Sequence, residues 1–82
     1  MATADTFHLV IASVGETRFD GAAQSATIPT TAGEITVLPH HEALVATLKK
    51  GTITVREALG TKEIPIEKGV LEISANRAVV LL

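Results

Sequence analysis

The sequence predicts an all-β domain, a flattened antiparallel sandwich or barrel of roughly 8–10 short strands. Apolar residues recur with a period of two rather than 3.6 along most of the chain. Turn residues, mainly glycine, proline and asparagine, separate these alternating runs at short intervals. Good helix formers are concentrated in one stretch of eight residues, which is too short to form a helix on its own.

The first part of the chain predicts two strands joined through turns. Residues 7–14, FHLVIASV, alternate with both faces largely apolar, which is typical of a strand covered on both sides. Gly15–Glu16 predicts a turn, and Gly21, at the end of RFDG, predicts a second one. Residues 23–30, AQSATIPT, predict a strand that closes near Pro29, because proline belongs at strand ends or edges.

The middle of the chain predicts one clear strand and one ambiguous segment. Residues 34–38, EITVL, alternate, and Pro39 ends that strand. Residues 41–48, HEALVATL, contain the helix formers. We expect them to form either a loop with a helical turn or an irregular strand.

The last part of the chain predicts two pairs of strands. Residues 52–57 and 62–67 form a hairpin around a four-residue connection, ALGT. Pro65 indicates that the second strand of this hairpin lies at a sheet edge or beside a bulge. After a turn at Lys68–Gly69, the segments VLEIS and RAVVLL pair across a turn in which Asn76 tolerates a positive φ.

Composition limits the classes of function. The 82 residues are expected to form one domain over residues 7–82, after a flexible lead-in over residues 1–6. There is no cysteine, which excludes disulfides and thiolate metal sites, and no apolar run is long enough for membrane insertion. A net charge of −2 and only two aromatic residues argue against nucleic-acid binding. With 46% hydrophobic residues, we expect both a β-rich core of valine and isoleucine and a partner that covers part of the apolar surface.

Two features suggest chemistry. His40 and His41 are adjacent, and a small enzyme or metal protein using them is one hypothesis, although no further ligand stands at a suitable spacing. Lys62 follows the turn of the predicted hairpin, so a carrier domain of the lipoyl or biotinyl type, modified at Lys62, is the alternative function. No serine lies in a nucleophile-elbow pattern, and no phosphate-binding loop is present.

Five sequence features in order carry a resemblance to a known family: FHLVIAS, RFDG, GEITVLPHHEALVATLKKG, GVLEIS and NRAVVLL. The chain from Phe7 to Leu82 resembles the N-terminal β-sandwich domain of the epsilon subunit of F-type ATP synthases, called delta in mitochondria. Two departures stand out. His40 replaces a small turn residue of the family pattern, and the second proline of that loop is missing. The two C-terminal helices of the family are not among the 82 residues.

The resemblance implies a rotor subunit of the central stalk that is not itself catalytic. It would dock on the gamma subunit and on the c-ring, and so couple ion translocation to ATP synthesis. It would lie peripherally on the cytoplasmic face of the bacterial plasma membrane, or on the equivalent organelle membrane. No cofactor is expected, and no ATP binding is expected without the C-terminal helices.

The resemblance also implies an interface of five residues. Glu34 would face the polar loops of the ring, where an ion pair at the rim orients more than it binds. His41 would contact the gamma subunit. Leu38, Leu44 and Val45 would form an apolar docking patch, although core packing is the usual role of such side chains.

Overall fold

A computed structural model describes residues 5–82 of the chain. These residues form nine strands and no helix. In chain order the strands are β1 (Phe7–Ser13), β2 (Glu16–Ala23), β3 (Ser25–Thr30), β4 (Gly33–Val37), β5 (Leu44–Leu48), β6 (Gly51–Glu57), β7 (Gly60–Ile66), β8 (Gly69–Ser74) and β9 (Arg77–Leu81). The predicted all-β class is confirmed. Most of the predicted lead-in, residues 1–4, lies outside the described part, and the proposed domain boundary stays a prediction.

The strands form one sheet in the order β2-β1-β9-β8-β5-β3-β6-β7. β4 lies outside this order. It pairs with the edge of β3 opposite to the edge that β6 occupies, because Ala26 of β3 pairs with both Val37 of β4 and Val55 of β6. All pairings are antiparallel except that of β1 with β9, which is parallel. The sheet therefore departs at one place from the expected antiparallel pattern, where the first and last strands meet.

The sheet curls until its two ends touch through side chains. Arg18 on β2 donates from Nη1 to the carbonyl of Pro65 on β7, at 3.4 Å. The Nζ of Lys62, also on β7, lies 5.4 Å from the centre of the Phe19 ring on β2. The result is a flattened body of 39 × 24 × 20 Å whose inner faces enclose the core.

Alternation along the strands builds the core. On β1 the residues Phe7, Leu9 and Ile11 are buried, while His8 between them is exposed. β6 and β8 repeat this pattern, so one face of each strand points inward. The largest fully buried side chains are Leu9, Ile11, Ile28, Val37, Ile53, Val55, Leu71 and Val80.

Some local expectations are confirmed and others are wrong. Pro65 lies on β7, the last strand in the order, as its missing N–H predicted, and Asn76 has a φ of +59°. Gly21 forms no turn. It lies within β2 opposite Leu9, because β1 and β2 pair over their full length. The connection of β6 to β7 has two residues rather than four, since Gly60 already pairs with Glu57.

The ambiguous segment 41–48 contains a regular strand. Leu44–Leu48 form β5, which pairs with β8 along its whole length. Leu44 and Ala46 point toward the core and Val45 points outward, so the side chains alternate as in any half-buried strand. The helical turn expected as one alternative is absent from this segment.

Candidate docking surface

The loop between β4 and β5 begins with a tight turn. The N–H of His41 donates to the carbonyl of Leu38 at 3.2 Å, which closes a four-residue turn with Pro39 and His40 at its centre. His40 has a φ of +63°. Proline followed by a residue of positive φ is the type II arrangement, which favours glycine at the second central position. This turn explains why the family pattern has a small residue where this chain has His40.

Asn76 fastens the loop to the body of the domain. Its Oδ1 accepts the N–H of His40 at 2.7 Å, and its Nδ2 donates to the carbonyl of Thr6 at 3.0 Å. Its own carbonyl accepts the N–H of His8 at 3.2 Å. One side chain in the β8–β9 turn thus joins the start of β1 to the loop after β4. Sequence reasoning identified the backbone conformation of Asn76 but missed its side-chain role.

The structure brings together four of the five predicted interface residues. Leu38 and His41 lie in the loop, and Leu44 and Val45 begin β5, at the end of the sandwich that carries the β8–β9 turn. Glu34 lies near the other end of β4, about 13 Å away for four residues of extended chain. The five residues therefore occupy one side of the sandwich but not one end of it.

The side chains at this surface differ in exposure. Leu38 is 54% exposed and Val45 is 69% exposed, so neither of these aliphatic side chains is part of the core. Leu44 and His41 are half-buried, and Glu34 is exposed. An apolar patch with a carboxylate at some distance is therefore available for contact.

The His41 ring has a defined tautomer when it is neutral. Its Nδ1 lies 2.7 Å from the carbonyl oxygen of Glu42. A carbonyl only accepts, so Nδ1 carries the proton and Nε2 is left as an acceptor. The half-buried ring thus presents one hydrogen-bond acceptor beside the apolar patch. This arrangement suits a mixed polar and apolar protein interface better than a catalytic or metal-binding role.

A slot of about 320 Å³ opens between β4 and β5. Ile35, Leu44 and Ala46 are partly buried there and pack against the core. Ile35 was not among the predicted interface residues. Its alternation with Glu34 indicated only that it faces the core, and the sequence could not show that the sandwich is open at this place.

The other two candidate chemistries find no support in the geometry. His40 is an exposed turn residue whose Nε2 lies 3.7 Å from a carboxylate oxygen of Asp5. Across residues 5–82, no three histidine, aspartate or glutamate side chains come close enough to hold a metal ion. Lys62 lies within β7, not at the hairpin tip, and its Nζ is 3.8 Å from a carboxylate oxygen of Glu57.

The model of the family "ATP synthase, Delta/Epsilon chain, beta-sandwich domain" matches residues 6–82. The chain belongs to this family. Among its relatives, the ATP synthase epsilon chain of Polaromonas naphthalenivorans is 32% identical over 94% of this chain and 56% of the relative. The epsilon chain of Thioalkalivibrio sulfidiphilus is 36% identical over 93% of this chain and 55% of the relative. The chain thus spans about half the length of the relatives it matches.

Two cryo-EM structures contain a similar fold. A chain of the Euglena gracilis mitochondrial ATP synthase, described as OSCP/F1/c-ring, aligns with a TM-score of 0.86 and 23% identity, over 93% of this chain and 49% of that one. A chain of the Tetrahymena thermophila mitochondrial ATP synthase central stalk and c-ring aligns with a TM-score of 0.77 and 14% identity, over 98% of this chain and 65% of that one. Within residues 5–82, no helix has the length and apolar character needed to cross a bilayer.

Proposed function

We propose that this chain is a non-catalytic rotor subunit of the central stalk of an F-type ATP synthase. It docks on the gamma subunit and on the c-ring, and it couples ion translocation to ATP synthesis as a peripheral part of the complex. The single observation that carries the proposal is the match of the epsilon-chain sandwich family over residues 6–82. The similar structures support the same assembly, because one comes from a complex of OSCP, F1 and c-ring and the other from a central stalk with its c-ring.

The two contacts are assigned to the two ends of the side of the sandwich that carries β4, the β4–β5 loop and the start of β5, which we call the docking side. Leu38, His41, Leu44 and Val45 contact the gamma subunit, because exposed aliphatic side chains around a polar acceptor resemble the centre of an interface. Glu34, at the far end of β4, contacts the ring, where a basic loop residue would pair with its carboxylate. Such an exposed pair contributes about 0.2–1 kcal/mol, so it fixes orientation more than affinity.

The mechanical role follows from the closed curl of the sheet. Torque transmission needs a body that does not shear when one surface is pushed against another. Cross-strand hydrogen bonds link the described strands into one sheet. The contacts of Arg18 with Pro65 and of Lys62 with Phe19 join β2 to β7 and close the curl. Stalk and ring would then turn together.

Binding to the gamma subunit tests the proposal. We expect the purified chain to bind purified gamma through an interface of more than about 1,000 Å² in total, and to hydrolyse no ATP by itself. Failure to retain the chain on immobilised gamma would contradict the proposal. ATP hydrolysis that copurifies with the chain at constant specific activity would contradict the non-catalytic role.

A further inference from the structure

Two strand edges lie open on the docking side. β4 is paired along one edge only, with β3. β5 is paired with β8 along its length but meets β3 only at Leu48. Within residues 5–82, no strand covers the outer edge of β4 or the first part of β5. The slot lined by Ile35, Leu44 and Ala46 separates these two edges.

The register identifies the backbone groups of β4 that point outward. Pro29 of β3 has no N–H, and its carbonyl accepts the N–H of Lys49 at 3.2 Å, on the edge of β3 away from β4. Its partner on β4, Glu34, is therefore in a pair that exchanges no hydrogen bonds, so the N–H and C=O of Glu34 face away from β3. Since this pattern alternates along an antiparallel ladder, the N–H and C=O of Thr36 also face outward.

The same reasoning applies to β5. The carbonyl of Thr47 accepts the N–H of Thr31 at 2.9 Å, so the backbone groups of Thr47 face away from β8. The N–H and C=O of Val45, two residues earlier on the strand, also face away from β8, and no described strand lies opposite them. Two of the predicted interface residues, Glu34 and Val45, thus also present free backbone groups.

We propose that an extended segment of the gamma subunit adds as a further strand to the outer edge of β4. This inference rests on the proposed function and names the mode of docking. Open strand edges are templates for pairing with another chain, and strand addition is a common mode of peptide recognition. A helix would leave the outward N–H and C=O groups of Glu34 and Thr36 without strand partners.

The surface also defines the chemistry of that segment. Side chains at alternate positions of the added strand would lie over Ile35, Leu44 and Ala46, which favours aliphatic residues there. Glu42 is exposed at the loop end of this side, where the gamma contacts are assigned, and no ion pair within residues 5–82 involves it. We therefore expect the segment to alternate aliphatic residues with residues that include lysine or arginine.

Proline substitution at Thr36 tests strand addition directly. Thr36→Pro removes one outward N–H and leaves the backbone hydrogen bonds between β3 and β4 intact, but it also removes the 3.4 Å hydrogen bond between the Thr36 and Thr27 hydroxyls. Thr36→Val removes the same hydroxyl and keeps the N–H, so it controls for that loss. Glu63→Pro is the matched control at the opposite edge strand, because Glu63 is two residues before Pro65 and has its N–H on the same outer edge of β7. The readout is the dissociation constant for purified gamma, with circular dichroism of each variant to verify folding.

The expected result is a loss of affinity specific to one backbone position. Thr36→Pro should weaken gamma binding by roughly tenfold or more, while Thr36→Val and Glu63→Pro stay within about threefold of wild type. Equal binding by wild type and folded Thr36→Pro would overturn strand addition and leave the proposed function standing. Absence of gamma binding by the wild type would overturn both. A dimer of the wild type that Thr36→Pro abolishes, without any effect on gamma binding, would assign this edge to a second copy and overturn the inference.

Discussion

Replacing Asn76 by alanine tests whether one side chain holds the docking loop in place. The change removes the hydrogen bonds from His40 N–H and to the Thr6 carbonyl, at 2.7 and 3.0 Å. Each is worth about 1 kcal/mol net. Alanine must then also adopt the φ of +59°, which costs about 1 kcal/mol more than for asparagine or glycine. The expected loss of unfolding free energy is about 2–3 kcal/mol.

The two contributions can be separated at the same position. Asn76→Gly loses both hydrogen bonds but accepts the positive φ without strain, so it should cost about 1–2 kcal/mol. Asn76→Asp keeps the acceptor for His40 and loses the donor to Thr6, so it should cost about 1 kcal/mol. The expected order of stability is therefore wild type, then aspartate, then glycine, then alanine.

Urea unfolding followed by far-ultraviolet circular dichroism measures these differences, because the chain has no tryptophan or tyrosine for fluorescence. For a domain of this size, the alanine variant should melt roughly 10–20 °C below wild type. An alanine variant within about 0.5 kcal/mol of wild type would refute the assigned role of Asn76. A glycine variant less stable than the alanine variant would refute the argument from the positive φ.

Three further predictions concern the backbone, the packing and the surface. His40→Gly should raise the unfolding free energy by up to about 1 kcal/mol, because His40 has a φ of +63°; a clear loss in urea unfolding would contradict this. Gly69→Ala should destabilise by about 1–3 kcal/mol, since its Cβ would lie 2.7 Å from the Leu81 carbonyl oxygen. Gly21→Ala is its control, because that Cβ would meet only ring carbons of Phe19 at 3.9 Å, and equal losses of stability would show that the predicted clash is not real. Val45→Asp should weaken gamma binding about tenfold or more without unfolding the chain, whereas Leu59→Asp, at a fully exposed hairpin tip, should not; equal binding by both variants in a titration with gamma would remove Val45 from the interface.

Local chemistry made parts of the fold predictable from the sequence. Pro65 predicted an edge strand because it lacks an N–H, and Asn76 predicted a positive φ because its side chain tolerates that conformation. Both depend on a few neighbouring atoms. Alternation likewise predicted the strand over residues 7–13, but the expected cover on both faces is wrong at His8, which is exposed while Phe7 and Leu9 are buried.

Other features depend on distant partners, which the sequence pattern does not contain. Residues 44–48 form a regular strand because β8 pairs with them, some 25 residues later in the chain. The parallel pairing of β1 with β9 joins the two ends of the described chain. Gly21 suggested a turn from its residue type, yet its place opposite Leu9 makes it part of a strand.

Candidate residues for a docking surface could be proposed from the sequence, but their arrangement in space could not. Apolar residues on both sides of Pro39 suggested contact residues, and the structure exposes Leu38 and Val45. The separation of Glu34 from that group follows from the direction of β4 along β3. The open backbone groups of Glu34 and Thr36 follow from the register at Pro29, which only the paired strands define.

Site-specific crosslinking in the assembled synthase tests the proposed docking orientation of the chain. The chain has no cysteine, so single cysteines can be introduced without altering a native thiol. We predict that Val45→Cys crosslinks to the gamma subunit, that Glu34→Cys crosslinks to the c-ring, and that Leu59→Cys crosslinks to neither. Crosslinking of Leu59→Cys to gamma, with no crosslink from Val45→Cys or Glu34→Cys, would contradict the docking orientation.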